Sequence, residues 1–345
     1  MASGCGVFST ASKQAVTSTT VTGERLQTGA YTLALPLGLQ ASAAYVPDGA
    51  PLSDAKVELG RVLYFDKRLS RDDTVSCATC HEPAHGFAEP RKTSQGVGGQ
   101  VGTRNAPTVI NRLFSKEQFW DGRATDLEEQ AKGPLINPIE MAMPSHGAVV
   151  RKVGGIAAYG PLFAKAFGSD DVSIDHIAQA IAAFERTVVA GGSAFDRYQA
   201  GDKTAMTDAA VRGMGLFNGK ANCVTCHAGF NFSDESYHNL GVGMLVKAPD
   251  PGRAKVTKAR SETGAFKTPT LRNVVQTAPY MHDGSEATLA DVIAFYDRGG
   301  SRNPYLSKEM RPLGLSDGEK ADLLAFLGAL ASDGPHVDVP ADLPQ

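Results

Sequence analysis

The chain has 345 residues, enough for two domains of ordinary size with sizeable cores. Its formal charge of -3 mixes both signs, which gives no footing for nucleic acid. No run of eighteen apolar residues occurs, so no membrane-spanning helix is expected, and 37 glycines with 19 prolines imply many ordered loops between short helices.

Residues 1–30 are rich in Ser, Thr and Gly without periodicity and read as a flexible tether. Ser3-Gly4-Cys5 is similar to the end of a bacterial lipoprotein cleavage box, so Cys5 is either a lipid-anchor point or an incidental thiol. Tyr31–Leu39 reads as extended, and residues 1–45 together as a flexible or extended segment. Leu52–Leu63 reads as a helix leading to Tyr64-Phe65.

Cys77-Ala78-Thr79-Cys80-His81 follows, and the pattern recurs at Cys223-Val224-Thr225-Cys226-His227. C-x-x-C-H is the attachment signature of c-type haem. Two thiols three positions apart can bond to the two vinyl groups on one haem edge, and the histidine next in line is placed to bind the iron. Residues at i, i+3 and i+4 share one face of a helical turn, so one turn holds both tethers and the ligand. A lone C-x-x-C would also suit a zinc half-site or a redox pair, and two copies a four-cysteine zinc site. Histidine directly after both pairs, which use four of the five cysteines, points instead to two covalent haems on Cys77, Cys80, Cys223 and Cys226, with His81 and His227 on the irons. Covalent haem implies a compartment outside the cytoplasm, expected here to be the periplasm, although no secretory signal stands at the start.

Gly96–Gly102 is a glycine-rich loop without the strand–turn–helix context of a nucleotide site. Phe119–Arg123 holds the only tryptophan, Trp120, and Gln130–Met143 reads as a proline-punctuated loop containing Glu140. Ile177, Ile181, Phe184 and Val188 stripe a helix over 174–189, which Gly191-Gly192 closes at a domain boundary. Helices are expected near Thr207–Phe217 and Thr288–Arg298, and Ser316 with Glu319 forms a capping box for the last one. The tail from Pro335 reads as a surface arm. Phe65-Asp66 before the first haem motif and Phe217-Asn218 before the second mark a faint repeat. The expected fold is mainly α with few short strands: a first haem domain over 46–192 and a second over 193–345, whose last helix can pack back on the first.

From about Leu35 to Leu330 the chain resembles the bacterial dihaem cytochrome c peroxidase family and its MauG branch. The motifs that carry the resemblance include Glu58-Leu59-Gly60-Arg61, Ser76–His81, Arg104-Asn105-Ala106-Pro107-Thr108, Phe119-Trp120-Asp121-Gly122-Arg123, Glu129–Pro134, Cys223–His227, Thr270–Asn273 and Thr277–Gly284. The resemblance implies two cytochrome c-like domains with a calcium ion near their interface, and Asn105, Thr277 and Pro279 match its ligands; hard oxygen donors suit Ca²⁺. It implies that peroxide reacts at the first haem, with Glu140 as the distal acid that moves a proton between the two oxygens and Gln130 as a second distal polar group. Trp120 matches the aromatic bridge between the haems.

Two positions depart from the peroxidase pattern. Many of these peroxidases carry a distal histidine where this chain has Val97, and no histidine lies between His85 and His146. The first iron is therefore expected to be open, with His85 structural. Where peroxidases place a methionine on the second haem this chain has Tyr296, as MauG-like proteins do; Met244, Met281 and Met310 are the other candidates. A phenolate ligand favours high-valent iron. The implied activity is MauG-like: hydrogen peroxide drives a bis-Fe(IV) state that oxidises tryptophan or tyrosine residues of a partner protein. The alternative is a peroxidase that reduces hydrogen peroxide with electrons from a small cytochrome c or cupredoxin. A dihaem electron carrier fits less well, since carriers keep both axial positions filled.

Overall fold

The computed structural model describes Met1 and residues 23–345, so Cys5 and the tether around it lie outside the described residues. From Arg25 onward the segment expected to be flexible or extended forms an antiparallel hairpin, β1 (Arg25–Thr28) and β2 (Tyr31–Ala34), turning at Gly29 with φ +59°. Leu33, Leu35 and Leu39 bury against Leu113, Phe114 and Val189, which fastens the hairpin to the body. Three leucines spread over seven positions are too sparse a pattern to announce this from sequence.

The first half is helical. α1 (Asp54–Phe65) opens where Ser53 Oγ accepts the Lys56 N–H at 3.2 Å. α2 (Cys77–Cys80) is a single turn carrying the first haem motif, and the Ser76 N–H donates to Thr79 Oγ1 at 3.0 Å. α3 (Leu127–Ile136), α4 (His146–Gly154), α5 (Tyr159–Phe167) and α6 (Ile174–Glu185) complete it. Gln130 therefore lies on a helix, a correction to the loop expected from 130 to 143. α3 carries Pro134 in its interior, and its start is capped by Asp126 Oδ1, which takes the Glu129 N–H at 2.7 Å.

The second half holds α7 (Ala194–Gln199), α8 (Asp208–Asn218), α9 (Ala254–Thr257), α10 (Leu289–Asp297) and α11 (Asp317–Ala329). A small antiparallel pair, β3 (Tyr237–His238) and β4 (Phe266–Lys267), sits among its loops. The second haem motif starts as a 3-10 turn over Cys223–Thr225 rather than an α turn, entered through Asn222 at φ 52°.

The faint repeat is a real one in three dimensions. α1 packs on α6, and a Cβ at Gly60 would lie 1.8 Å from Ala180 O and 2.9 Å from Phe184 Cβ. α8 packs on α11, and a Cβ at Gly213 would lie 1.9 Å from Asp322 O and 2.8 Å from Phe326 Cβ. In both halves, then, the helix just before the haem turn crosses a partner helix at a glycine, touching a carbonyl and, one turn on, a phenylalanine. The cores follow the same division. Leu59, Leu63, Ile177 and Phe163 belong to the first, while Phe217, Phe326, Leu323 and Ile293 belong to the second.

The last helix thus stays with α8 and α10 in the second half rather than packing back on the first, because its apolar face is taken up there. The segment after it makes that crossing. Arg61 donates to Asp338 O at 2.6 Å, Arg68 to Pro344 O at 2.7 Å, and Leu343 packs against the first core. Among the described residues no helix is long and apolar enough to cross a membrane.

Candidate functional site

Each haem motif lines its own cavity. The first, of about 1120 Å³, is walled by Cys77, Cys80 and His81 together with Gln130, Glu140, Phe119, Arg123 and Trp120. The second, of about 230 Å³, is walled by Cys223, Cys226 and His227 together with Tyr296. The two cysteine pairs do not converge, which removes the four-cysteine zinc site. All four thiols are free, and burial pushes them up, Cys80 and Cys223 to about 12 and Cys226 to about 11. A reactive redox pair needs the opposite shift, toward thiolate.

The donor sets fit a c-type haem. His227 Nδ1 lies 2.9 Å from Phe232 O. A carbonyl only accepts, so Nδ1 carries the proton and Nε2 keeps its lone pair for a metal. The Nδ1 of His81 is buried with no well-formed hydrogen bond, and desolvation lowers the pKa of the ring, which favours the neutral form a ligand needs. Tyr64, itself fully buried, donates its hydroxyl to His81 O at 2.9 Å and fixes the end of the haem turn.

Glu140 follows α3 in a tight turn. Asn137 Nδ2 donates to Glu140 Oε1 at 2.7 Å. Burial raises the Glu140 pKa, opposed by the Arg123 guanidinium and the Asn137 hydrogen bond. Arg123 stacks 3.5 Å over the Phe119 ring and pairs with Asp121 at 2.9 Å. The glycine-rich loop presses on this turn from the other side: Val97 N–H donates to Glu140 O at 2.9 Å, and Val97 is fully buried. His85 lines neither cavity; its Nδ1 lies 3.0 Å from Glu82 Oε2.

Trp120 lines both cavities. Its Nε1–H donates to Asn105 O at 2.8 Å, and its own carbonyl accepts the Lys267 N–H at 2.8 Å. Asn105 also lines both cavities, while Thr277 and Pro279 line the second. Asn105 Nδ2 donates to Arg91 O at 3.0 Å, which turns Oδ1 away from those carbonyls. Among the described residues, Asn105 Oδ1 and the carbonyls of Thr277 and Pro279 accept no hydrogen bond, leaving three oxygens available to a hard cation.

Tyr296, on α10, shares the second cavity with His227, and burial beside Cys223 and Cys226 pushes its phenol well above the usual range. Met281 and Met310 also line that cavity, whereas Met244 does not. Reading the sequence missed Asn137, Glu185 and Lys267, all of them cavity-lining. Asn137 stands three residues before Glu140 and could have been found as its local partner. Nothing in the sequence ties Lys267 to a tryptophan so far along the chain.

Residues 54–204 match the family model described as di-haem cytochrome c peroxidase. The chain is 42% identical over 300 residues to the methylamine utilization protein MauG of Methylorubrum extorquens, covering 85% of this chain and 83% of that one. It is 40% identical over 304 residues to the cytochrome c551 peroxidase of Nitrosomonas europaea, covering 88% and 86%. Among solved structures, a MauG-like protein associated with microbial copper homeostasis superimposes with a TM-score of 0.77 at 34% identity, over 84% of this chain and 93% of that one.

Proposed function

Because the chain belongs to the dihaem cytochrome c peroxidase and MauG family of oxidoreductases, we propose that it is a peroxide-driven oxidase of the MauG type, acting on tryptophan or tyrosine side chains of a partner protein. Cys77, Cys80 and His81 would hold one haem and Cys223, Cys226 and His227 the other, with Tyr296 as the second protein ligand in the rear cavity. Bound haem supplies the iron at which peroxide is cleaved and the oxidising equivalents are stored.

The chain's own residues manage protons and geometry. Glu140 takes the proton from the near peroxide oxygen and returns it to the departing one, a transfer that a carboxyl does best with its pKa raised toward working pH. Asn137 holds that carboxyl in place, and Gln130 on α3 presents a second polar group to the same space. Val97 offers no donor to a metal, so peroxide meets no competing side chain there. Trp120 gives charge a stepping stone between the cavities, which lets the substrate side chain stay in its own protein. Asn105 Oδ1 and the carbonyls of Thr277 and Pro279 would bind Ca²⁺ beside that step. The periplasm is the compartment where such haems are attached.

The observation that carries this reading is Tyr296, a phenol sharing the cavity of His227 with no hydrogen-bond partner of its own among the described residues. A second reading, peroxide reduction by a small cytochrome c or cupredoxin, draws on Met281 and Met310 in the same cavity and on the 40% identity to a cytochrome c551 peroxidase.

The test adds stoichiometric hydrogen peroxide to the diferric protein and follows near-infrared and Mössbauer spectra. A long-lived doubly oxidised form, lost in Tyr296→Met and Tyr296→His, supports the oxidase. Its absence alongside rapid turnover of reduced cytochrome c assigns the peroxidase.

A further inference from the structure

Lys267 is the only buried lysine among the described residues, 5% exposed. Lysine is almost never buried without a partner that needs it. Its position is central: it lines both cavities, and its backbone N–H holds the carbonyl of Trp120 at 2.8 Å. The ammonium has three N–H bonds. One goes to Glu117 O at 2.7 Å, and the nitrogen forms an ion pair with Glu235 Oε2 at 2.5 Å.

Glu235 is held for this contact. Its backbone sits at φ +56°, a region glutamate rarely enters. Ser115, from the first half, donates its hydroxyl to Glu235 Oε1 at 2.7 Å. The pair therefore joins the two halves of the molecule at the place where Trp120 spans them. Burial and the nearby Arg112 lower the Lys267 pKa to about 8, while Glu235 works to keep it charged.

A buried charge acts on redox groups through a low dielectric, so its field would reach haems held in the two cavities it lines with little screening. A positive charge favours the reduced form of each haem and disfavours a cation on the indole between them. We propose that Lys267, balanced by Glu235, is a positioning residue for charge that sets the reduction potentials of both haems. This rests on both cavities holding haem. It does not depend on whether the protein oxidises a partner or consumes donor electrons, because potentials are read without turnover.

The test is a spectroelectrochemical titration of the haem-loaded wild type, Lys267→Met and Glu235→Gln. Lys267→Met should lower both haem potentials by a tenfold bias toward oxidation or more, which is about 59 mV for one electron. Glu235→Gln, on a side chain 30% exposed, titrated at pH 6 so that Lys267 keeps its charge without its partner, should raise both. Opposite signs are the signature of charge. Shifts of the same sign in the two variants, or no shift in Glu235→Gln, would overturn the proposal and leave the pair a structural clasp. If Lys267→Met fails to load haem, the upward shift in Glu235→Gln decides the matter alone.

Discussion

Replacing Gly96 by alanine tests whether the glycine-rich loop positions the proton-handling carboxyl. The new Cβ would lie 1.9 Å from Ile139 O and 2.5 Å from Glu140 O. Both are backbone atoms, so no rotamer change relieves the contact. Side-chain carbons keep about 3.0 Å from such atoms, so the loop and the Glu140 turn must part by roughly 1 Å, and a displacement of that size at a reacting group costs about 10²-fold in rate. The same overpacking should cost about 1–3 kcal/mol of stability. The Val97 N–H to Glu140 O bond, 2.9 Å long, would stretch or break with it. The assay is stopped-flow mixing of haem-loaded protein with peroxide, read at the Soret band of the first haem, beside a thermal melt. A Gly96→Ala protein that reacts within twofold of wild type and melts at the same temperature would refute the reasoning.

Glu140→Gln should slow the same reaction by about 10²–10⁴-fold. The ionised form takes the proton, so the wild-type rate should rise with pH through a pKa above the usual glutamate value, and stopped-flow across pH should show that step vanish in the variant. Glu185, on the first cavity wall, has its carboxyl pushed up to about 8 by burial. The folded protein keeps that proton after the unfolded chain has lost it, so stability should fall as pH rises from about 4 to 8, and Glu185→Gln should remove the fall when melts at pH 5 and pH 8 are compared. Gly60→Ala and Gly213→Ala each drive a Cβ into a carbonyl less than 2 Å away, and each should cost about 1–3 kcal/mol in thermal unfolding.

Much of the fold was legible because its helices announce themselves locally. The stripe of Ile177, Ile181 and Phe184 marks α6, and Ser316 with Glu319 forms the reciprocal cap of α11. α3 to α5 stayed hidden because Pro134, the Gly154-Gly155 pair and Pro161 interrupt their periodicity, and tertiary packing overrides that signal. The haem turns were plain, since their chemistry is written in five consecutive residues. Glu140, Trp120 and Tyr296 could be picked out only by resemblance, and the structure then brings each into a cavity with the expected cysteines and histidine. The surroundings that tune them were not legible. Lys267 reaches Trp120 across the fold, and Asp250 holds Arg104 at 2.7 Å from an equally distant loop.

The matched helix crossings at Gly60 and Gly213 give the molecule one chassis used twice. On those shared crossings the haem turns differ, one α and one 3-10, and so do the lids laid over them: the turn of Glu140 pinned by Val97 in one case, the helix of Tyr296 in the other. Chemistry on this frame can be rewritten by exchanging lids while the crossings are left alone.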